Sequence, residues 1–211
     1  MNVLSPASES RTVLENVSWS TYEALLKDLG PHRGRIAYEE GLLEIMSPSP
    51  RHEKFKGLIG RLVEAFAAEL KIPLSPLGSM TMKRELRRRG IEPDECYYIQ
   101  NEHLVRDKED IDLAHDPLPD LAIEIEISRS ALDRLGIYAA LRIPEVWFYD
   151  GKSLRIHCLE RGGKYRKSKK SRVLPRLPID GLEQFLARHK ENSIIALAEE
   201  FRGWIRRELR P

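Results

Sequence analysis

The sequence predicts an α/β fold in which a mixed, mostly antiparallel β-sheet is flanked by α-helices. Three observations lead to this prediction. Helical and strand-like periodicities follow one another in the order helix, hairpin, helix, strands, helix, strands, helices. Glu40-Gly41 and Asp150-Gly151 are turn signals between apolar runs and predict hairpins. A strand, a helix and a second strand within residues 121–149 predict one parallel crossover, which should be right-handed.

Each element is predicted from its periodicity and its capping residues. The longest helix spans residues 51–70, because Phe55, Ile59 and Leu62 recur at helical spacing and form an apolar stripe. A shorter helix has Ser20 as its expected N-cap. The predicted elements are a helix at 20–30, a hairpin at 35–46, a helix at 51–70, strands at 79–83, 95–99 and 121–128, a helix from Ser130 to about 141, strands at 145–149 and 154–159, and helices at 181–189 and 193–207.

Length and composition predict one folded domain. The chain has 211 residues, enough for one substantial core. We expect a flexible N-terminal tail over 1–15, a domain over 16–190 and a C-terminal helix over 191–211. No signal peptide or run long enough to span a membrane is visible, which predicts a cytoplasmic protein without membrane contact. No motif for a small-molecule cofactor is present, and the two cysteines have no Cys-x-x-Cys spacing.

Charge is segregated along the chain although the net charge is only +2. Residues 161–176 hold eight Lys/Arg and no Asp/Glu, and residues 83–89 hold five basic residues and one Glu. Residues 102–120 are strongly acidic. The basic runs indicate a polyanion such as DNA as a partner, or else they are solvated loops.

Three carboxylates carry the chemical hypothesis. In the strand after Pro119-Asp120, isoleucines alternate with Glu124 and Glu126, so the two acids share one face. That face is either exposed to water or binds a cation. Asp94, after Pro93, begins a neighbouring strand and could converge with both glutamates. Such a cluster repels itself unless a cation is bound, and all-oxygen ligands suit Mg²⁺ or Mn²⁺. Replacing Glu124 by Gln in chelator should then not lower the melting temperature.

Three segments together resemble the Uma-type putative restriction endonuclease domain of the PD-(D/E)XK nuclease superfamily. They are residues 90–101, 124–128 and 137–151, and the likeness extends from about Trp19 to about Leu186. The resemblance implies a restriction-endonuclease-like core for residues 16–190 and Mg²⁺-dependent hydrolysis of DNA phosphodiester bonds. One position departs from the superfamily pattern, because Glu126 stands where the pattern has Lys.

The resemblance also implies roles for individual residues. Asp94 and Glu124 become metal ligands, with the Ile125 carbonyl as a third oxygen. Glu126 either binds a second ion or orients the attacking water. The spacing along this sequence, rather than the resemblance, makes Arg134, one helical turn into the next helix, the expected substitute for the missing Lys, ahead of Lys54 or Lys56. In such folds the first long helix often brings an acid or a histidine to the metal. His52 and Glu53 are the accessory candidates, although an acid also suits the positive end of a helix.

Two functions remain open from the sequence. The first is a Mg²⁺-dependent endonuclease, which the Pro-Asp and Glu-x-Glu sequences favour. The second is a catalytically inactive binding or assembly module with the same fold, which Glu126 favours. A homodimer is expected for double-strand cleavage, with its apolar surface from the hairpin at 145–159 or the C-terminal helices.

Overall fold

The computed structural model describes residues 9–30 and 34–209. Its strands are β1 (Ser10–Leu14), β2 (Arg35–Glu39), β3 (Leu42–Ser47), β4 (Ser75–Pro76), β5 (Met82–Arg84), β6 (Arg89–Ile91), β7 (Glu95–Tyr98), β8 (Leu121–Ile125), β9 (Glu145–Tyr149), β10 (Leu154–Leu159) and β11 (Tyr165–Ser168). Its α-helices are α1 (Trp19–Leu29), α2 (Pro50–Leu70), α3 (Glu102–Val105), α4 (Arg134–Leu141), α5 (Ile179–Ala187) and α6 (Ile194–Glu208).

The strands form two sheets rather than the single predicted one. The first sheet has the order β1-β3-β2-β6-β5 and is antiparallel throughout. The second has the order β11-β10-β9-β8-β7-β4, and only β8 and β9 run parallel. The mixed, mostly antiparallel α/β class is therefore confirmed, and so is the parallel pairing of the two strands joined by α4.

The second sheet lies at the centre of the molecule. On one face, Ile123 and Trp147 pack in a core with α2, α5 and α6, and Phe201 brings the C-terminal helix into that core. On the other face, Ala122 and Val146 pack against α4 and the first sheet. Since neighbouring residues of β8 alternate between these faces, Glu124 lies on the α4 side of the sheet.

The N-terminal segment differs from the flexible tail predicted for residues 1–15. Residues 1–8 lie outside the described part of the chain. From Ser10 to Leu14 the backbone forms β1, paired along its whole length with β3. Most of its side chains are exposed, so the sequence carries no alternating pattern that would reveal the strand. It is an edge strand held by its hydrogen-bond ladder and by contacts of Arg11.

Smaller differences concern element boundaries. Ser18, not Ser20, caps α1, and its hydroxyl accepts from Thr21 N–H at 3.1 Å. Asp133, not Ser130, caps α4. Strand β8 ends at Ile125, so Glu126 and Ser128 follow it rather than belong to it. Within the described residues, no helix has the length and apolar character needed to span a bilayer.

Candidate metal and active site

Asp94 and Glu124 lie next to each other in the second sheet. Glu95 pairs with Ile123 in the antiparallel ladder of β7 and β8, which sets Asp94 opposite Glu124. Ile125 N–H donates to Asp94 Oδ2 at 2.8 Å. Both acids are buried, with exposed fractions of 0% and 1%. The alternative in which Glu124 faces water is therefore wrong, because period-two alternation in a central strand separates two buried faces here.

Helix α4 provides the charge that balances Glu124. The guanidinium of Arg134 and the hydroxyl of Tyr138 contact the two oxygens of the Glu124 carboxylate. Burial raises the pKa of Glu124 well above its ordinary value, and the positive charge of Arg134 opposes that rise. The contact predicted between Arg134 and the carboxylates is thus present in the structure.

His52 connects Asp94 to the N-terminal segment. Ser49 caps α2, and His52 in its first turn is completely buried. Its Nε2 lies 2.8 Å from Asp94 Oδ1, and its Nδ1 lies 2.9 Å from Glu9 Oε2. Burial alone would lower the pKa of His52, but its contacts with the carboxylates of Asp94 and Glu9 outweigh burial and raise this pKa to about 9. The imidazole is therefore a cation held between two carboxylates at neutral pH.

Glu9 and Arg11 close the site from the β1 side. Burial would raise the pKa of Glu9, but hydrogen bonds from His52 and Ser128 and the charge of Arg11 lower it to about 2. Arg11 Nη1 donates to the buried Glu44 at 2.6 Å, and its Nε donates to Ser128 Oγ at 2.8 Å. One ionic network consequently joins β1, β3, α2 and the end of β8.

The other predicted acids do not join Asp94 and Glu124. Glu126 is paired with Arg155 and keeps 28% of its side chain exposed. Glu53 is 47% exposed and lies 4.0 Å from Arg35, whose Nε is 3.5 Å from Asp94 Oδ1. In residues 9–30 and 34–209, no group of three or more His, Cys, Asp or Glu side chains has the arrangement of a metal site. The predicted convergence of three carboxylates is thus reduced to a pair, because β8 ends before Glu126.

The pair nevertheless fits a hard divalent ion in its donor chemistry. Asp94 Oδ1 is buried and has no hydrogen bond of good geometry among the described residues, despite the short contact with His52. This oxygen faces the His52 cation, and a carboxylate oxygen keeps a further lone pair that a ligand can use. Asp94, Glu124 and the Ile125 carbonyl would offer only oxygen ligands, as Mg²⁺ and Mn²⁺ prefer.

The second Pro-Asp sequence has a structural role. Asp120 Oδ2 accepts backbone N–H groups from Ile99, Gln100 and Asn101 at 2.7, 2.8 and 3.2 Å. Its Oδ1 accepts from the Asn101 side chain at 3.2 Å. Asp120 therefore holds the turn that follows β7, and it has no oxygen left without a donor.

A basic cleft opens beside the buried pair. Its volume is about 430 Å³, and the segment from Arg129 to Leu135 forms one wall. Arg155, His157 and Lys167 line it from β10 and β11, and Glu126 and Arg134 line it as well. His157 and Lys167 are cross-strand partners, so their side chains share a face. Arg134 thus contacts the buried Glu124 and also borders the open cleft.

Sequence reasoning missed Glu9, Arg11, Glu44 and Tyr138. Glu44 had a usable signal, because it is an acid within the otherwise apolar strand Leu42–Ser47. Tyr138 lies four residues after Arg134, which places both on one helical face. Glu9 and Arg11 lie in a polar segment without periodicity and gave no local signal.

Comparison with known proteins identifies the family of this chain. Residues 19–187 match the family described as Uma2, putative restriction endonuclease. The chain belongs to this family. The family and the restriction-endonuclease-like fold predicted from the sequence are therefore confirmed. The chain also resembles the crystal structure, at 1.96 Å resolution, of a putative nuclease belonging to DUF820 from Anabaena variabilis ATCC 29413. The identity is 16% and the TM-score 0.49, over 72% of this chain and 90% of that one. No curated protein matches the chain.

Proposed function

We propose that this Uma2 family protein is a DNA endonuclease that hydrolyses phosphodiester bonds with Mg²⁺ or Mn²⁺. The observation that carries the proposal is the buried pair of Asp94 and Glu124 on adjacent strands, with Arg134 reaching from the pair to an open basic cleft. Burying two carboxylates side by side is costly, and structural needs alone do not call for it.

Each residue at the site then has a role. Asp94, Glu124 and the Ile125 carbonyl would hold the ion. When bound, a divalent ion supplies a nucleophilic water and stabilises negative charge on the phosphate. Arg134 replaces the superfamily Lys as the fixed positive charge, and its Nε has no hydrogen-bond partner among the described residues. His52 keeps Asp94 ionised and oriented from behind.

The basic cleft is the proposed contact for the DNA backbone. Arg129, Arg155 and Lys167 face it, and Glu126 is neutralised by Arg155. Lys167 is the one lysine of residues 161–176 in the lining of this cleft, whereas Lys170 is exposed elsewhere.

Replacing Lys167 by Gln should reduce the slope of log affinity against log salt by about 1. Lys170→Gln is the matched control. Equal salt slopes for the two variants would mean that residues 161–176 form a solvated loop without a DNA contact.

A second function has one observation in its favour. Arg134 already balances Glu124, and Glu126 is not a cation, so the ionic network is complete without a metal. An inactive binding module of the same fold would need nothing more.

Metal binding and cleavage measured together decide between the two functions. Calorimetric titration with Mn²⁺ should show one binding event in the wild type that Asp94→Asn and Glu124→Gln abolish, with loss of plasmid nicking. Glu53→Gln, an exposed acid on the same helix turn as His52, should change neither. Wild-type protein that binds no Mn²⁺ and nicks no DNA would make the inactive module the correct function.

We also propose a cytoplasmic homodimer, in keeping with paired cuts on two strands. Strand β9 is buried throughout, so the hairpin at 145–159 does not offer the apolar surface first expected. Helix α6 exposes one large apolar side chain, Ile195, at 61%, and is the proposed site of the contact. A monomer by light scattering at high concentration would exclude the dimer.

A further inference from the structure

The turn between β5 and β6 presents an apolar side chain surrounded by arginines. Residues 84–88, which we call the arginine turn, contain Arg84, Arg87 and Arg88. Leu86 at its tip is 100% exposed, more than any other large hydrophobic side chain in the described residues. Single exposed leucines are common on protein surfaces, so the informative feature is the complete exposure of this side chain between arginines.

Hydrogen bonds hold the arginine turn in a defined shape. Arg88 has a left-handed backbone with φ 45°, and its N–H donates to Glu85 O at 2.7 Å. Its carbonyl accepts from Glu40 N–H at 2.9 Å. The next residue, Arg89, is fixed by Glu39 at 2.9 Å. The leucine therefore projects because the fold directs it outward.

The arginines of the turn are available to an anion. Neither Arg84 nor Arg87 forms an ion pair with any acid in residues 9–30 and 34–209. Arg87 lines a cavity of about 370 Å³ together with Arg89 and Arg142, and no acidic residue lines it. Small residues of α4 form its floor, which leaves room for a backbone phosphate.

The arginine turn and the basic cleft lie on two sides of one helix. Leu135 lines the cleft beside Arg134, and the next residue, Gly136, lines the cavity with Arg87. Leu86 precedes Asp94 by eight residues, so an extended chain separates them by at most about 28 Å. That distance corresponds to about eight base pairs of duplex DNA. A duplex longer than this covers the separation between Leu86 and Asp94.

We infer that the arginine turn inserts Leu86 into a groove of duplex DNA while Arg84 and Arg87 contact the flanking phosphates. An apolar wedge between arginines is how many proteins open a base step and bend a duplex. Single-strand binders use aromatic platforms, and the turn has no aromatic residue. Membrane binding needs a broader apolar face than one leucine offers. The inference rests on the proposed function in taking DNA as the substrate, and it specifies double-stranded DNA.

The leading test measures duplex opening by the full-length protein in chelator, where no cleavage occurs. The probe is a duplex with 2-aminopurine at successive positions, and its fluorescence rises when a base unstacks. Wild-type protein should raise the signal at one step. Leu86→Ala should abolish the rise and weaken duplex affinity about tenfold, with affinity for the single strand unchanged. Leu104→Ala, which truncates another exposed leucine, is the control and should behave as wild type. Unchanged unstacking and affinity in Leu86→Ala would overturn the inference.

The salt dependence of duplex binding tests the phosphate contact of Arg87. Arg87→Gln should lower the salt slope of duplex binding by about 1. Arg61→Gln, an exposed arginine on α2, should leave it unchanged. Equal slopes for the two variants would remove the arginine turn from the DNA contact.

These outcomes separate the inference from the proposed function. Loss of unstacking in Leu86→Ala in a protein that never cleaves DNA would support the wedge and refute the nuclease. Metal-dependent cleavage with Leu86→Ala equal to wild type in duplex binding would refute the wedge alone. Binding to phosphatidylcholine–phosphatidylserine vesicles that depends on Leu86, without duplex binding, would overturn the inference and assign the turn to an anionic membrane.

Discussion

Two Pro-Asp dipeptides precede neighbouring strands, and their aspartates have opposite surroundings. Asp120 accepts three backbone N–H groups and one side-chain amide, so both of its oxygens are satisfied. Asp94 accepts one backbone N–H from Ile125, and its other oxygen faces His52 without a well-formed hydrogen bond. A fully bonded buried acid stabilises the fold. A buried acid whose oxygen faces a cation without being fully hydrogen-bonded is the candidate for ligand binding.

The largest expected effect comes from removing the structural aspartate. Asp120→Ala would leave the buried N–H of Ile99 and the part-buried N–H groups of Gln100 and Asn101 without their acceptor, and we expect the free energy of unfolding to fall by about 4 kcal/mol. Urea denaturation in chelator measures this loss. If the free energy of unfolding falls by less than about 1 kcal/mol, Asp120 does not have the structural role that sets it apart from Asp94.

Glu124→Gln should also destabilise the protein, by about 3 kcal/mol, because it leaves Arg134 buried without its counter-charge. This reverses the expectation from sequence alone, which considered carboxylate repulsion but not the arginine. A double-mutant cycle with Arg134→Gln measures the coupling, and the double variant should recover part of the loss. Independent, additive effects would contradict a direct pair.

Bound Mn²⁺ should raise the free energy of unfolding only when Asp94 is intact, whereas Asp120 is not needed for this gain. At a Mn²⁺ concentration 100 times the dissociation constant, the wild type should gain about 2.7 kcal/mol. Asp94→Asn should lose this gain, whereas Asp120→Asn should start from lower stability and keep it. Thermal unfolding with and without Mn²⁺ measures both, and equal gains in the two variants would remove Asp94 from the site.

The smallest of these effects is a pH dependence. The pKa of His52 is raised to about 9 in the folded protein, so its stabilising contribution is complete below pH 6.5 and is lost as the pH rises through 9. The pKa of Glu9 is lowered to about 2, so its contribution is complete above pH 4.5 and is lost as the pH falls towards 2. Between pH 6.5 and 9 in chelator, unfolding should become easier by about 2 kcal/mol. In His52→Gln the free energy of unfolding should change little between pH 6.5 and 9. An unchanged pH dependence in this variant would mean that a group other than His52 titrates.

The sequence was sufficient where local periodicity determines structure. The helix at 51–70, the hairpin at Glu40-Gly41 and the parallel crossover are in the structure because apolar spacing and turn residues act over short distances. The burial of Glu124 was not predictable, because alternation distinguishes two faces but does not show which one is covered. The contact between Glu9 and His52 joins residues 43 positions apart, and no local pattern encodes it.

Strand β1 has a consequence for how relatives are compared. The region shared with the family begins at residue 19, yet Glu9 and Arg11 reach the site from before that boundary. An alignment trimmed to the shared region would keep Asp94 and omit both of these residues. A protein shortened to residues 19–187 would retain every position that defines its family, and its His52 would lose the carboxylate that now holds Nδ1.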